Sequence, residues 1–163
     1  MDAVLHTLWT GAGATLAVDV WALARRRWFG VALPNYGLVG RWFAYMPRGQ
    51  FRHASIASAA PMPGERLLGW GAHYAIGIGF AALLPLLWGS AWLQQPSLPP
   101  ALLVGLGSVA APLLLMQPAM GLGIAASRAP RPAAARRQSL ITHAVFGFGL
   151  YAAARAADAL FAS

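Results

Sequence analysis

The stretch LLGWGAHYAIGIGFAALLPLLWGSAWL, residues 67–93, decides the fold of this chain. Its only side chain that titrates near neutral pH is that of His73. A helix needs roughly 20 mostly apolar residues to cross a bilayer, and this stretch is longer. Its glycines and its proline are acceptable there, because lipid offers the backbone no hydrogen-bonding partner outside a helix. The stretch is therefore predicted to be a transmembrane helix.

Three further stretches are similarly long and apolar. Together they predict an all-α, four-helix transmembrane bundle that occupies residues 1–163 as a single domain. The predicted spans are about 3–24, 67–93, 101–126 and 140–161. A long cytoplasmic connection, about 25–66, joins the first two spans and is predicted to be partly structured, with short helices at about 38–45 and 51–59.

The composition excludes several classes of protein. Only 10% of the 163 residues are charged, whereas soluble domains carry about 25%, so a soluble enzyme is not expected. The chain has no cysteine. Disulfides and thiolate metal sites are therefore absent.

The arginines predict how the bundle is oriented. The net charge is +8, and all 12 basic residues are arginine. Eleven of them lie in 25–66 or in the connection between spans three and four, and the connection 94–100 has none. Cytoplasmic loops are enriched in Lys and Arg, so both termini are predicted to lie outside the cytoplasm. Anionic lipid headgroups are the expected partner, and no nucleic-acid recognition motif accompanies the arginines.

The few polar residues inside the spans are the candidate site. Ionisable groups in a membrane are costly, so each is a functional hypothesis. Asp19, His73 and His143 each lie six or seven residues from an arginine at the inner boundary, roughly 9–10 Å at 1.5 Å per residue. Gln117 approaches the same level from the third span. The sequence predicts an intramembrane polar site made of these four side chains.

Two matching patterns, His73-x-x-x-Gly77-x-Gly79 and His143-x-x-x-Gly147-x-Gly149, predict which way the histidines face. A residue at i+4 lies on the same face of a helix, and membrane helices pack closely at small residues. The histidines are therefore expected in helix contacts and not on the lipid face. The repeated pattern also suggests that the two halves of the chain are tandem repeats.

Several chemistries fit this polar set. Two histidines and a carboxylate, here His73, His143 and Asp19, form a recognised divalent-metal set. The same residues suit a proton relay. Two histidines beside glycines also have room for a haem held edge-on. A purely structural role, in which each histidine stabilises a helix contact, is equally compatible.

The cytoplasmic connection adds candidate contributors. His53 and Glu65 are candidates to supply further ligands to the set formed by His73, His143 and Asp19, or to cover it. Arg41, Arg48 and Arg52 are candidates to grip a phosphate or a lipid headgroup, because guanidinium groups bind phosphate with paired hydrogen bonds.

A set of short motifs runs through the chain: Asn35-Tyr36-Gly37, Gly40-Arg41-Trp42, Arg48-Gly49, His53, Glu65-Arg66-x-x-Gly69-Trp70-x-x-His73-Tyr74, Met116-Gln117-Pro118 and Thr142-His143-x-x-Phe146-Gly147. Together they resemble a family of small bacterial inner-membrane proteins that counts among the domains of unknown function. The resemblance covers nearly the whole chain. It implies a multi-pass membrane protein, and it implies no activity, substrate or cofactor.

Three functions remain open at this point. The chain is a small transport or proton-linked component, a membrane-bound enzyme or electron carrier that uses a divalent metal or haem, or a structural accessory subunit of a membrane complex. The transport function would require a homo-oligomer or a larger complex, since four helices hardly enclose a path. Whether the protein is an enzyme is also left open.

Overall fold

The computed structural model describes residues 2–161, so residues 1, 162 and 163 of the predicted domain lie outside the described range. Every regular element in this range is helical, as predicted. The α-helices are α1 (Ala3–Phe29), α2 (Tyr36–Tyr45), α3 (Glu65–Trp88), α4 (Ala91–Gln94), α5 (Leu98–Gly107), α6 (Gln117–Ala119) and α7 (Pro132–Phe161). Short 3₁₀ turns cover Met46–Arg48, Ile56–Ser58 and Ile124–Ala126, and a π-helical segment, Ala111–Met116, precedes α6.

Three helical segments are long and apolar enough to cross a membrane: Glu65–Trp88, Leu98–Ala119 and Pro132–Leu160. Only 22%, 22% and 33% of their most apolar windows are buried within the chain. Their apolar surface therefore faces outward, which suits a lipid environment. The first predicted span forms α1, which has 27 residues but is not among the three, so the four-span bundle is only partly supported.

The predicted span boundaries shift where the backbone enters the left-handed region. The second span ends at Trp88 and not near residue 93, because Gly89 has φ of 81°. The third ends at Ala119 and not at residue 126, because Gly121 and Gly123 have φ of 96° and 73°. Glycine accepts this conformation at no steric cost and commonly ends helices. The helix of the fourth predicted span, α7, begins at residue 132 and not near residue 140. After Pro132 its first residues are alanine or polar, and it extends this far because alanine and arginine are strong helix formers.

The chain divides into two compact units. The first unit comprises residues 1–33, 74–108 and 141–163. It is built around a core of apolar side chains from α1, α3, α4, α5 and α7. The buried members of this core are Ala14, Val18, Ala81, Leu84, Trp92, Leu93, Ala101, Val104, Phe146, Leu150 and Ala154.

Glycines set the helix contacts of the first unit. A Cβ placed on Gly105 would lie 2.5 Å from the backbone nitrogen of Gly147, so α5 and α7 touch through their backbones. Gly77 packs against the Thr15 side chain of α1. Gly77 and Gly147 thus lie in helix contacts as predicted, whereas Gly79 has open space around it. The two His-Gly-Gly patterns are therefore not equivalent.

The second unit comprises residues 34–73 and 109–140. Here α2 lies against the start of α3 through Gly40 and Gly69, where an added Cβ would overlap backbone atoms of the other helix. The predicted helix at 51–59 is wrong: only the turn Ile56–Ser58 forms. Backbone N–H groups of His53 and Ile56 instead donate to the carbonyls of residues 119 and 120, at 2.8 and 3.1 Å. These bonds dock the connection onto the end of α6 and the residue that follows it.

Candidate functional site

Asp19 is held by a side chain that the sequence analysis missed. The Tyr74 hydroxyl of α3 donates to Asp19 Oδ2 of α1 at 3.0 Å. Both residues belong to the first unit. A carboxylate in an apolar helix needs such a donor, because an unpaired buried charge is costly. Tyr74 could have been suspected, since a tyrosine in an apolar helix usually finds a partner for its hydroxyl.

His73 lies in an aromatic cluster of the second unit. Its ring stacks on that of Tyr36, with 4.0 Å between centroids and 21° between planes. Trp70 meets the Tyr36 ring edge-on at 4.8 Å and the His73 ring at 5.9 Å. Two of these aromatics come from α3 and the third from α2. The stack orients the imidazole and ties the connection to α3.

The other two predicted intramembrane residues lie in different units. His143 is half-buried on α7 in the first unit, and its backbone carbonyl borders the contact with Gly105. Gln117 begins α6 in the second unit, and its buried Oε1 has no hydrogen-bond partner within the described range. A buried, unsatisfied polar atom is rare in native proteins and marks a place where water or a ligand fits.

The predicted metal set of His73, His143 and Asp19 gains no support. Within residues 2–161, no three His, Asp or Glu side chains form a group that could hold a metal ion. A haem or a metal at these histidines stays a prediction from sequence.

Arg41 and Glu65 form a salt bridge with two hydrogen bonds, which we call the Arg41–Glu65 clamp. The guanidinium donates to both carboxylate oxygens, from Nε at 2.7 Å and from Nη2 at 2.8 Å. Arg41 Nη1 also donates to the carbonyl of Ala59 at 2.8 Å, and Glu65 accepts from the Met62 N–H at 2.9 Å. The hydrogen bond to Glu65 raises the pKa of Arg41 above its usual value, against the opposing effect of burial. These two predicted contributors therefore hold the connection together.

His53 and Arg52 border an open cavity of about 580 Å³ in the second unit. Arg52, Ser127 and Arg128 supply its other polar groups, and Ala54, Pro118, Gly123 and Ile124 complete the lining. Arg48 lies instead over the Tyr45 ring, with 5.8 Å between its Cζ and the ring centroid. In the sequence Arg128 indicates topology alone, and nothing in the local sequence pairs it with residue 53.

These observations define the class: a helical protein with three membrane-length helices, an Asp19–Tyr74 pair and an arginine-lined cavity. The chain belongs to a family described as "Protein of unknown function (DUF2938)", whose model matches residues 8–157. Searches among curated proteins and among solved structures found no match. The family assignment agrees with the resemblance found from sequence and brings no activity with it.

Proposed function

We propose that the chain is a multi-pass protein of the bacterial inner membrane in which α1 is a fourth span. With 27 residues, α1 is about 40 Å long at 1.5 Å per residue, which is enough to cross a bilayer. The arginine-rich connections then lie in the cytoplasm and both termini outside. Exposed apolar side chains along the helices, such as Leu67, Leu86 and Leu103, support a lipid-facing surface.

Within this frame, the function that the geometry supports best is proton-linked transport, with Asp19 and Tyr74 as the proton-binding pair. The carrying observation is the 3.0 Å hydrogen bond from the Tyr74 hydroxyl to Asp19. In this proposal the Tyr74 hydroxyl donates to Asp19 when the carboxyl group is ionised, and the hydrogen bond between them rearranges when Asp19 takes up a proton. A change between these two states would alter the contact between α1 and α3, and intramembrane carboxylates are typical of the proton relays of pumps and transporters.

His73 precedes Tyr74 in α3 and is the next group able to exchange protons near neutral pH. In this proposal it passes protons between the cytoplasmic side and the pair. His143, which belongs to the same unit as the pair, remains a candidate member of the path. A homo-oligomer or a larger complex would supply the remaining walls of that path.

The test is proton flux into liposomes that contain the purified protein and a pH-sensitive dye, under an imposed pH gradient. Asp19→Asn should abolish the flux, and Tyr74→Phe should reduce it. Asp158→Asn is the matched control, because it makes the same chemical change on α7 at a residue outside the pair. Wild-type flux no greater than that of empty liposomes, or full flux in Asp19→Asn, would refute the proposal.

A further inference from the structure

The cavity of the second unit is the feature that neither the family nor the proposed function explains. Its volume of about 580 Å³ lies within the range of about 300–1,000 Å³ that is typical of small-molecule sites. It lies between the docked connection, residues 52–54, and the segment after α6. It is therefore a product of the fold and not of one flexible loop.

The charge of the cavity points to an anion. Arg52 and Arg128 both line it, and none of its described lining residues is acidic. Neither arginine forms an ion pair within residues 2–161. The carboxylate of Glu65 is paired with Arg41 and not with either of them. Two unpaired guanidinium groups at one concavity raise the local concentration of anions and bind phosphate with paired hydrogen bonds.

A buried histidine supplies the second, independent observation. His53 is 8% exposed, and its Nε2 has no hydrogen-bond partner. The ring is held by the edge of Tyr45, at 5.0 Å between centroids, and by Gln50 Nε2, at 3.4 Å from Nδ1. His53 is itself a lining residue of the cavity, and a buried nitrogen without a partner calls for a water or another polar group from outside the described chain.

The backbone of the opposite wall is also unusual. Ala125 and Ala126 have φ of 49° and 57°, a conformation that costs energy for residues other than glycine. Arg136 Nε donates to the Ala125 carbonyl at 2.7 Å and so supports this turn. A Cβ on Gly123 would overlap the Ser127 hydroxyl and approach Arg128 Cγ at 3.1 Å. The glycine thus leaves space for the two polar side chains of the wall.

We propose that this cavity binds a phosphate group, with Arg52 and Arg128 as the charged ligands and with His53 Nε2 and the Ser127 hydroxyl as hydrogen-bonding partners. The phosphate comes either from a phospholipid headgroup at the cytoplasmic surface or from a soluble phosphate compound. The site includes neither Asp19 nor Tyr74. A test of this proposal is therefore independent of a test of the proposed function.

The first arm of the test is calorimetric titration of inorganic phosphate into the full chain in phosphatidylcholine nanodiscs at constant ionic strength. Arg128→Gln should weaken binding about tenfold or more, since each charge-assisted hydrogen bond contributes strongly. Arg131→Gln is the matched control: it removes the same charge from the same exposed segment, outside the cavity lining. Equal weakening by both variants would overturn the proposal, because it would indicate general charge attraction.

The second arm replaces part of the phosphatidylcholine by phosphatidylglycerol and counts retained lipids by native mass spectrometry. Retention of phosphatidylglycerol that is lost in Arg128→Gln but kept in Arg131→Gln assigns the site to a headgroup. Phosphate binding without lipid retention assigns it to a soluble compound. In both arms the ¹⁵N resonance of His53 Nε2 should shift on binding. Absence of phosphate binding together with absence of selective lipid retention would overturn the proposal.

Discussion

Different kinds of internal contact stabilise each of the two units. In the first, helices touch through glycines, and the Thr15 hydroxyl is satisfied within its own helix by the Gly11 carbonyl at 2.8 Å. In the second, side chains of α2 bind the backbone of the connection. Arg41 donates to several carbonyls, Trp42 Nε1 donates to residue 51 at 2.9 Å, and the Tyr45 hydroxyl donates to residue 60 at 3.1 Å.

This difference follows from the surroundings that each unit is expected to have. Lipid chains are as apolar as the helices, so helices in a membrane gain stability from close backbone approach. A connection without regular structure has backbone carbonyls that need donors, and α2 supplies them. The loss of single hydrogen-bond donors should therefore matter chiefly in the second unit. Side-chain size at close glycine contacts should matter in both units, since Gly40 and Gly69 join α2 to α3 in the second unit.

The largest expected effect is that of Gly105→Ala in the first unit. Its new Cβ would meet backbone atoms of α7, including the Gly147 nitrogen at 2.5 Å and the His143 carbonyl at 2.8 Å. Overpacking of this kind costs about 1–3 kcal/mol or more. Gly107→Ala is the control on the same helix, because nothing lies within 4 Å of its new Cβ. The free energies of unfolding of both variants can be measured in mixed detergent micelles by circular dichroism. Equal stability of the Gly105→Ala and Gly107→Ala variants would contradict the backbone contact between α5 and α7.

The sequence predicted the first unit better than the second. Apolar length located α1, α3 and α7, and the i, i+4 spacing from histidine to glycine indicated Gly77 and Gly147 as contact residues. Those signals are local in sequence. The docking of residues 53–56 onto 119–120, the Arg41–Glu65 clamp and the cavity depend on turns at glycines and on pairs far apart in the chain, which no local period encodes.

The site could be predicted only in part for the same reason. Asp19 and His73 were identified because ionisable groups are rare in apolar helices. Their partners, Tyr74 and Tyr36, are two of the four tyrosines of the chain. A tyrosine in an apolar helix is expected to have a partner for its hydroxyl, but the sequence does not say which one, so the contacts became visible only in three dimensions.

The next effect in size is that of Arg41→Gln in the second unit. It leaves Glu65 without its cation and the carbonyls of residues 56, 57 and 59 without their donor. Removing one partner of a shielded ion pair is strongly destabilising. Hydrogen exchange at residues 56–60 should accelerate markedly, while the first unit keeps its protection. Arg66→Gln, at an exposed neighbouring arginine, should change neither, and equal acceleration by both variants would argue against the clamp.

A smaller effect is expected from Tyr36→Leu, which removes the ring that stacks on His73. Aromatic pairs contribute about 0.5–1.5 kcal/mol beyond the burial of their surface. The ring-current shift of the His73 imidazole protons, measured by nuclear magnetic resonance, should decrease to the part that the Trp70 ring contributes. Tyr36→Phe keeps the ring and should preserve the shift. An unchanged His73 spectrum in Tyr36→Leu would show that the stack does not form in solution.

The smallest effect is expected from replacing one N-terminal helix cap by alanine in each unit. Asp2 caps α1 by accepting from the Leu5 N–H at 2.8 Å, and Asn35 caps α2 by accepting from the Gly37 N–H at 3.1 Å. Replacing either by alanine costs about 1 kcal/mol. Because α1 has 27 residues and α2 only 10, Asp2→Ala should fray one turn, whereas Asn35→Ala should raise exchange throughout α2 and at residues 56–60 that α2 holds. If both variants frayed only their first turns, α2 would be stabilised chiefly by its glycine contacts, and the two units would be more alike than their hydrogen bonds indicate.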